Sequence, residues 1–216
     1  MKTAFLTAMV LAVIATLGPY ATPAAATGKM VEIGTTAAWN VAPWGGGSYD
    51  SMRFQCLWFQ TDIAYAGYIQ AIHWNRGTYT TSGTYNDTRV WLCHTTKTAV
   101  EATFDNNYTG KTPVQVMTKA IFTMPAGPNW VDFGIDPNKF NYNNSDNLLM
   151  EIRWNGDGGV SDACARSSQA NSRVYIGDHT ATTGTVQNNG QCIRLYINTM
   201  TGVKPTSLGR VKTLFR

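Results

Sequence analysis

The groups able to react or to bind are scattered along the 216 residues rather than gathered in a motif. His73, His94 and His179 stand far from one another, and an imidazole in a strand needs only one hydrogen-bond partner, so they do not read as a metal set. Hydrolysis through a nucleophile needs a base and an orienting acid, and neither G-x-S-x-G nor H-E-x-x-H occurs. Asp132, Glu151 and Asp157 are the carboxylates available for glycoside cleavage by an acid and a base. Acidic residues that alternate with apolar ones are, however, what the wet face of a sheet carries. We therefore expect no catalytic residues and no enzyme.

Binding is better served. Asp136, Asn138, Asn141, Asn143, Ser145 and Asp146 crowd oxygen donors into one loop, and Asn155, Asp157 and Asp162 do so again. Calcium takes about six to eight oxygens, so Asp136, Asn138, Asn141, Asn143 and Asp146 are the expected ligands of a structural calcium, the one cofactor we consider. Their spacing is not that of an EF-hand, and Asn and Asp also serve turns for local reasons. The chain has seven Trp and ten Tyr, of which Trp39, Trp44, Tyr49, Tyr79 and Tyr85 are expected in loops. Ring faces stack on the C–H surfaces of sugars while Asn and Thr bond hydroxyls, and the same rings anchor protein interfaces. These five are the expected ligand-binding residues.

Elements must position these groups, and the chain ends limit which elements count. Lys2, an apolar run from Ala4 to Leu17 and the small residues Ala24, Ala25 and Ala26 read as a signal peptide over 1–26. The run falls short of the roughly 20 residues a spanning helix needs, and no other stretch qualifies, so no membrane span is expected. Export places Cys56, Cys93, Cys164 and Cys192 in an oxidising compartment, and no close C-x-x-C pair marks a zinc site, so two disulfides are expected. Three pairings are open, and nearness in the chain favours Cys56 with Cys93 and Cys164 with Cys192. The net charge of +4 is scattered, which leaves no nucleic-acid footprint, but Lys204, Arg210, Lys212 and Arg216 make 201–216 a basic tail.

Between these ends, 27–200 alternates apolar and polar residues over short runs, with no sustained helical period. Strands are expected at 31–35, 53–60, 67–74, 88–95, 121–124, 130–135, 148–154, 173–177 and 192–198. Leu148, Met150, Ile152 and Trp154 should face inward with Glu151 and Arg153 outward, and likewise Ile193, Leu195 and Ile197 against Arg194 and Tyr196. Asn155-Gly156 marks a tight turn, and 77–86 reads as a loop. Eight or nine strands so spaced predict an all-β fold, a two-sheet antiparallel sandwich of jelly-roll-like form, stabilised by disulfides.

Four stretches carry a likeness. They are Val31-Glu32-Ile33-Gly34, Ser51-Met52-Arg53-Phe54-Gln55, Phe140-Asn141-Tyr142-Asn143 with Asp146-Asn147-Leu148-Leu149-Met150-Glu151-Ile152, and Thr182-Thr183-Gly184-Thr185-Val186 with Cys192-Ile193-Arg194-Leu195. The chain resembles an uncharacterised jelly-roll-like β-sandwich module of secreted and surface bacterial proteins, and 201–216 resembles a short C-terminal motif of exported ones. The resemblance implies fold and export and carries over no catalytic residue; the cysteines stand outside its usual pattern. We expect a secreted or cell-surface-attached, non-catalytic module serving adhesion, glycan binding or a surface structure, with a surface glycan or its own copies as partner. The alternative is a filament subunit whose N-terminal segment, 27–38, exchanges strands between protomers.

Overall fold

A computed structural model describes residues 27–34, 38–40, 42–45, 48–77, 82–124, 129–156, 164–166 and 169–199. The expected leader and basic tail, with Tyr79, Asp157 and Asp162, lie outside the described residues, as do the side chains of Trp39 and Cys164.

The strands are β1 (Thr27–Ile33), β2 (Ala38–Asn40), β3 (Ser51–Trp58), β4 (Gly67–Gly77), β5 (Gly83–Thr95), β6 (Val114–Met124), β7 (Asn129–Asp132), β8 (Asn141–Tyr142), β9 (Asn147–Asn155), β10 (Cys164–Arg166), β11 (Arg173–Ile176), β12 (Thr185–Gln187) and β13 (Ile193–Thr199). A single-turn helix, Gln60–Ile63, and a 3-10 turn, Phe104–Tyr108, interrupt them. Five strands form one sheet in the order β1-β13-β4-β7, with β8 also on β4; six form the other, β12-β11-β3-β9-β5-β6; β2 pairs with β10. Every pairing is antiparallel. The two-sheet all-β class thus agrees with the sequence, while the strand count exceeds the expected eight or nine because two- and three-residue strands carry too few alternations to be read.

Alternation explains the packing. Along β9 the even-numbered Leu148, Met150, Ile152 and Trp154 are buried in one core, as are Ile193, Leu195 and Ile197 of β13. On β4 the inward residues Ile69 and Ile72 lie three apart, which breaks the period of two. A bulge accounts for it: Tyr196 pairs with Ala71 and Ile197 with Ile69, leaving Gln70 as the extra residue. Gly67 is required where it stands, since its φ is +142° and a Cβ there would meet the Asn198 carbonyl oxygen at 2.2 Å. Across the sandwich Phe54 meets Trp74 edge-on, with ring centroids 6.1 Å apart.

Trp44 and Tyr85 require correction as ligand-binding candidates. Both are fully buried, because β5 begins at Gly83 and turns Tyr85 inward, where its hydroxyl donates to the Trp44 carbonyl at 2.9 Å. Trp44 packs among Tyr85, Phe122 and Phe133 at centroid distances of 5.0, 5.3 and 5.4 Å. The Cys56–Cys93 pairing also fails, and neither residue is bonded in a disulfide. Their strands flank β9, which sets them about 10 Å apart against the roughly 7 Å a disulfide tolerates, and Cys56 faces the inter-sheet core while Cys93 faces the opposite side. Burial pushes their thiols up to about 12 and about 11.

A second, smaller core covers part of the outer face of the six-stranded sheet, built from Leu57, Cys93, Leu149 and Val174 with Val100 and Phe104 above them. The main core depends on its aromatic centre. Replacing fully buried Phe133 by Ala should cost about 3–5 kcal/mol, and calorimetry should show the melting temperature fall by roughly 6–20 °C.

Candidate functional site

Strand register places polar side chains in rows on the outer face of the six-stranded sheet. Arg89 of β5 stands opposite Arg153 of β9, which stands opposite Arg53 of β3. The next outward row is Trp91, Glu151 and Gln55. Each is the odd-numbered neighbour of a core residue, so the alternation that buries Val90, Leu92, Ile152 and Phe54 also aims this set outward.

Glu151 sits at the centre and is fully buried, which departs from the expectation of a solvated outward carboxylate. A buried carboxylate must be matched by donors. Arg53 Nε donates to Oε1 at 3.0 Å, Gln55 Nε2 to Oε2 at 2.5 Å, and Arg153 Nε and the Tyr108 hydroxyl complete the set. Burial first, and then the Glu151 charge, push the Tyr108 phenol above its ordinary range, so it remains the donor. Gln55 Oε1 accepts in turn from Asn107 Nδ2 at 2.9 Å. Arg53 extends the network: Nη1 donates to the Ala181 carbonyl at 2.8 Å, Nη2 to Asp105 at 3.0 Å, and the guanidinium lies 4.4 Å from the Phe104 ring centroid. One carboxylate thereby ties β3 and β9 to the 3-10 turn, and Arg53 carries the network on to the segment after β11.

Beside this network is a cleft of about 400 Å³ lined by Asp87, Arg89, Trp91, Arg153, His179 and Thr180. Asp87 and Arg89 form a forked pair, with Nε–Oδ1 3.1 Å, Nη2–Oδ1 2.9 Å and Nη2–Oδ2 3.0 Å. The Arg153 guanidinium lies 5.2 Å from the half-buried Trp91 ring. Thr180 is held by Asp178 through its amide and hydroxyl at 2.8 and 2.7 Å, and the His179 amide bonds Ser51 Oγ at 3.3 Å.

The sequence-derived candidates do not gather here. Tyr49 is partly buried against Tyr175, 6.3 Å between centroids. The proposed calcium oxygens serve bonds within the protein: Asn143 Oδ1 accepts from the nearby Ser145 and Asp146 amides at 2.9 and 3.0 Å, Asn138 Oδ1 from the distant Gln70 at 2.7 Å, and Asp136 pairs with Lys139 at 3.2 Å. Asn141 is exposed in β8, paired with Tyr68. Among the described residues no three His, Cys, Asp or Glu side chains group as metal ligands. The histidines occupy three places: His73 against Tyr196 on the five-stranded sheet, His94 against Phe140 and Tyr142, and His179 in the cleft. Outwardness of Glu151 and Arg153 was readable from alternation; Arg53, Arg89 and Trp91 were missed as their companions because alternation does not say which strands are neighbours.

Comparison with protein families, with curated proteins and with solved structures finds no match to this chain.

Two measurements probe these electrostatics. Glu151→Ala leaves two guanidiniums without their shared carboxylate and should cost about 3–5 kcal/mol in urea unfolding. Burial holds the His94 imidazole below its ordinary 6.5, against the pull of Asp146. Its neutral form stabilises the fold above about pH 6.5, and that contribution is lost as pH falls toward the lowered folded value, since the unfolded chain then binds the proton first. Urea midpoints at pH 7.5 and 5.5 should differ less in His94→Asn than in the parent.

Proposed function

We propose that this protein is a non-catalytic, exported β-sandwich module that binds a glycan at the cell surface, with the sugar in the cleft beside Trp91. The observation that carries this reading is the cleft itself, where an aromatic ring and a carboxylate–guanidinium pair converge on rigid strands. Its volume lies in the range of small-ligand sites, and donors, acceptors and a ring surface are what a hydroxylated ring with apolar C–H faces requires. Two of the three carboxylates considered for catalysis, Glu151 and Asp132, favour binding over hydrolysis. Glu151 has both oxygens occupied by donors, which leaves it a poor base or nucleophile, and Asp132 projects from the other sheet, where it accepts the Gly134 amide at 2.9 Å. We read the chain path, which passes between the large sheets after β1 by way of β2 and again after β3, β4, β6, β8 and β12, as jelly-roll-like.

The second reading, a filament subunit joined by strand exchange, has one feature in its favour. Strand β1 lies at a sheet edge and pairs with β13 over seven residues, yet Ile33 is its only fully buried side chain among those described. A stable monomer in sedimentation overturns that reading.

Glycan-array binding of the labelled protein tests the first. Binding should fall at least tenfold in Trp91→Ala with the urea midpoint nearly unchanged, and an array on which parent and variant behave alike overturns the site.

A further inference from the structure

We infer that the cleft selects uncharged saccharides over acidic ones, an inference that rests on the glycan-binding reading and specifies its ligand class. Three guanidiniums look at first like an anion site. Each already faces a carboxylate, however. Arg89 holds Asp87 in the forked pair, Arg153 donates to Glu151, and Arg53 divides itself between Glu151 and Asp105. Three positive groups are thus matched by three negative ones within hydrogen-bond reach. An incoming carboxylate or sulfate would find no guanidinium without its carboxylate and would approach two fixed carboxylates, Asp87 in the wall and Glu151 beneath it. Like charges brought together in a partly desolvated site oppose binding, so the arrangement discriminates against acidic ligands as well as attracting neutral ones.

What remains unused suits hydroxyl groups. Asp87 and Arg89 are each close to half exposed, at 47% and 46%, so their outer atoms reach the cleft. Arg89 Nη1 keeps its donors, and Asp87 Oδ2 accepts a single bond from Arg89. A sugar hydroxyl both donates and accepts, and two adjacent ones can use this donor and this acceptor together, whereas a carboxylate can use only the donor. Trp91 provides the apolar surface for ring C–H groups. The opposite wall is held for the purpose: Arg53 fastens the Ala181 carbonyl, and Asp178 fastens Thr180, so the wall needs little ordering when a ligand enters. Arg53 is a positioning residue here, buried beneath the site.

The Asp87 position allows a clean removal of charge. Its φ is +46°, a left-handed conformation that Asn also tolerates, so Asp87→Asn removes the charge without disturbing the backbone. Calorimetric titration of the mature full chain uses cellohexaose, mannohexaose and N-acetylchitohexaose as neutral probes and hexagalacturonate and a heparin hexasaccharide as acidic ones, at 20 and 500 mM NaCl. At least one neutral probe should bind, with affinity changing less than threefold between the salts, and the acidic probes should bind at least tenfold more weakly. Asp87→Asn should lose at least fivefold on the neutral probe and gain salt-sensitive binding of an acidic one. Parent protein that prefers an acidic probe with steep salt dependence overturns the charge selection and leaves the glycan-binding reading standing. Absence of binding to all five probes overturns both.

Discussion

A carboxylate removed from water must be surrounded by donors, and Glu151 shows how much structure that demand can organise. It lies in the middle strand of the six-stranded sheet, on the side facing away from the main core, where water would ordinarily solvate it. The 3-10 turn closes over it, supplying Tyr108 and Asn107 to complete a network begun by Arg53, Gln55 and Arg153. The small apolar cluster around Phe104 and Leu149 holds that turn in place. Charge satisfaction and apolar packing are therefore mutually dependent on this face.

The main core has a different logic. Two sheets bring Trp, Phe and Tyr side chains into edge and tilted contacts, and the chain segment after β2 inserts Trp44 between them. Trp154 and Trp58 donate their indole N–H groups to the carbonyls of Pro43 and Gln191 at 2.8 and 3.0 Å, so these rings fasten segments outside the sheets as well as filling the interior. The abundance of aromatics is mostly explained by this centre, which is why their number was a poor guide to ligand contact.

Much of the fold was legible because a period of two is a property of single strands. The inward sets of β9 and β13 and the isolation of Glu151 and Arg153 on the other face could all be read locally. The site could not, because it is defined across strands: Arg53, Arg89 and Arg153 are far apart in sequence and become neighbours only through register. Bulges hid more, since Val116 and Met117 are adjacent in sequence and both buried through the register shift between β5 and β6. Trp44 and Tyr85 misled for the same reason, as polar and glycine-rich surroundings conceal a side chain that tertiary packing turns inward. The Asn-rich loop was misleading in another way, since oxygens that resemble ligands by composition are consumed by the turns they create.

Where β5 and β9 line the cleft they also line the core, with Arg89, Trp91 and Arg153 at odd positions on one side and Val90, Leu92, Ile152 and Trp154 at even positions on the other. On the proposed glycan-binding reading, this division separates the residues that would meet a ligand from those that keep the module folded. Trp91 or Arg89 can be exchanged for other side chains while Val90 and Leu92 continue to fill the interior, so the lining of the cleft can change without repacking. Glu151 is the exception, lying buried beneath the cleft, where it both holds Arg153 of the cleft lining and fastens the fold. Diversification is therefore freest on β5 and narrowest on β9, and a library built on this scaffold would vary the former and spare the latter.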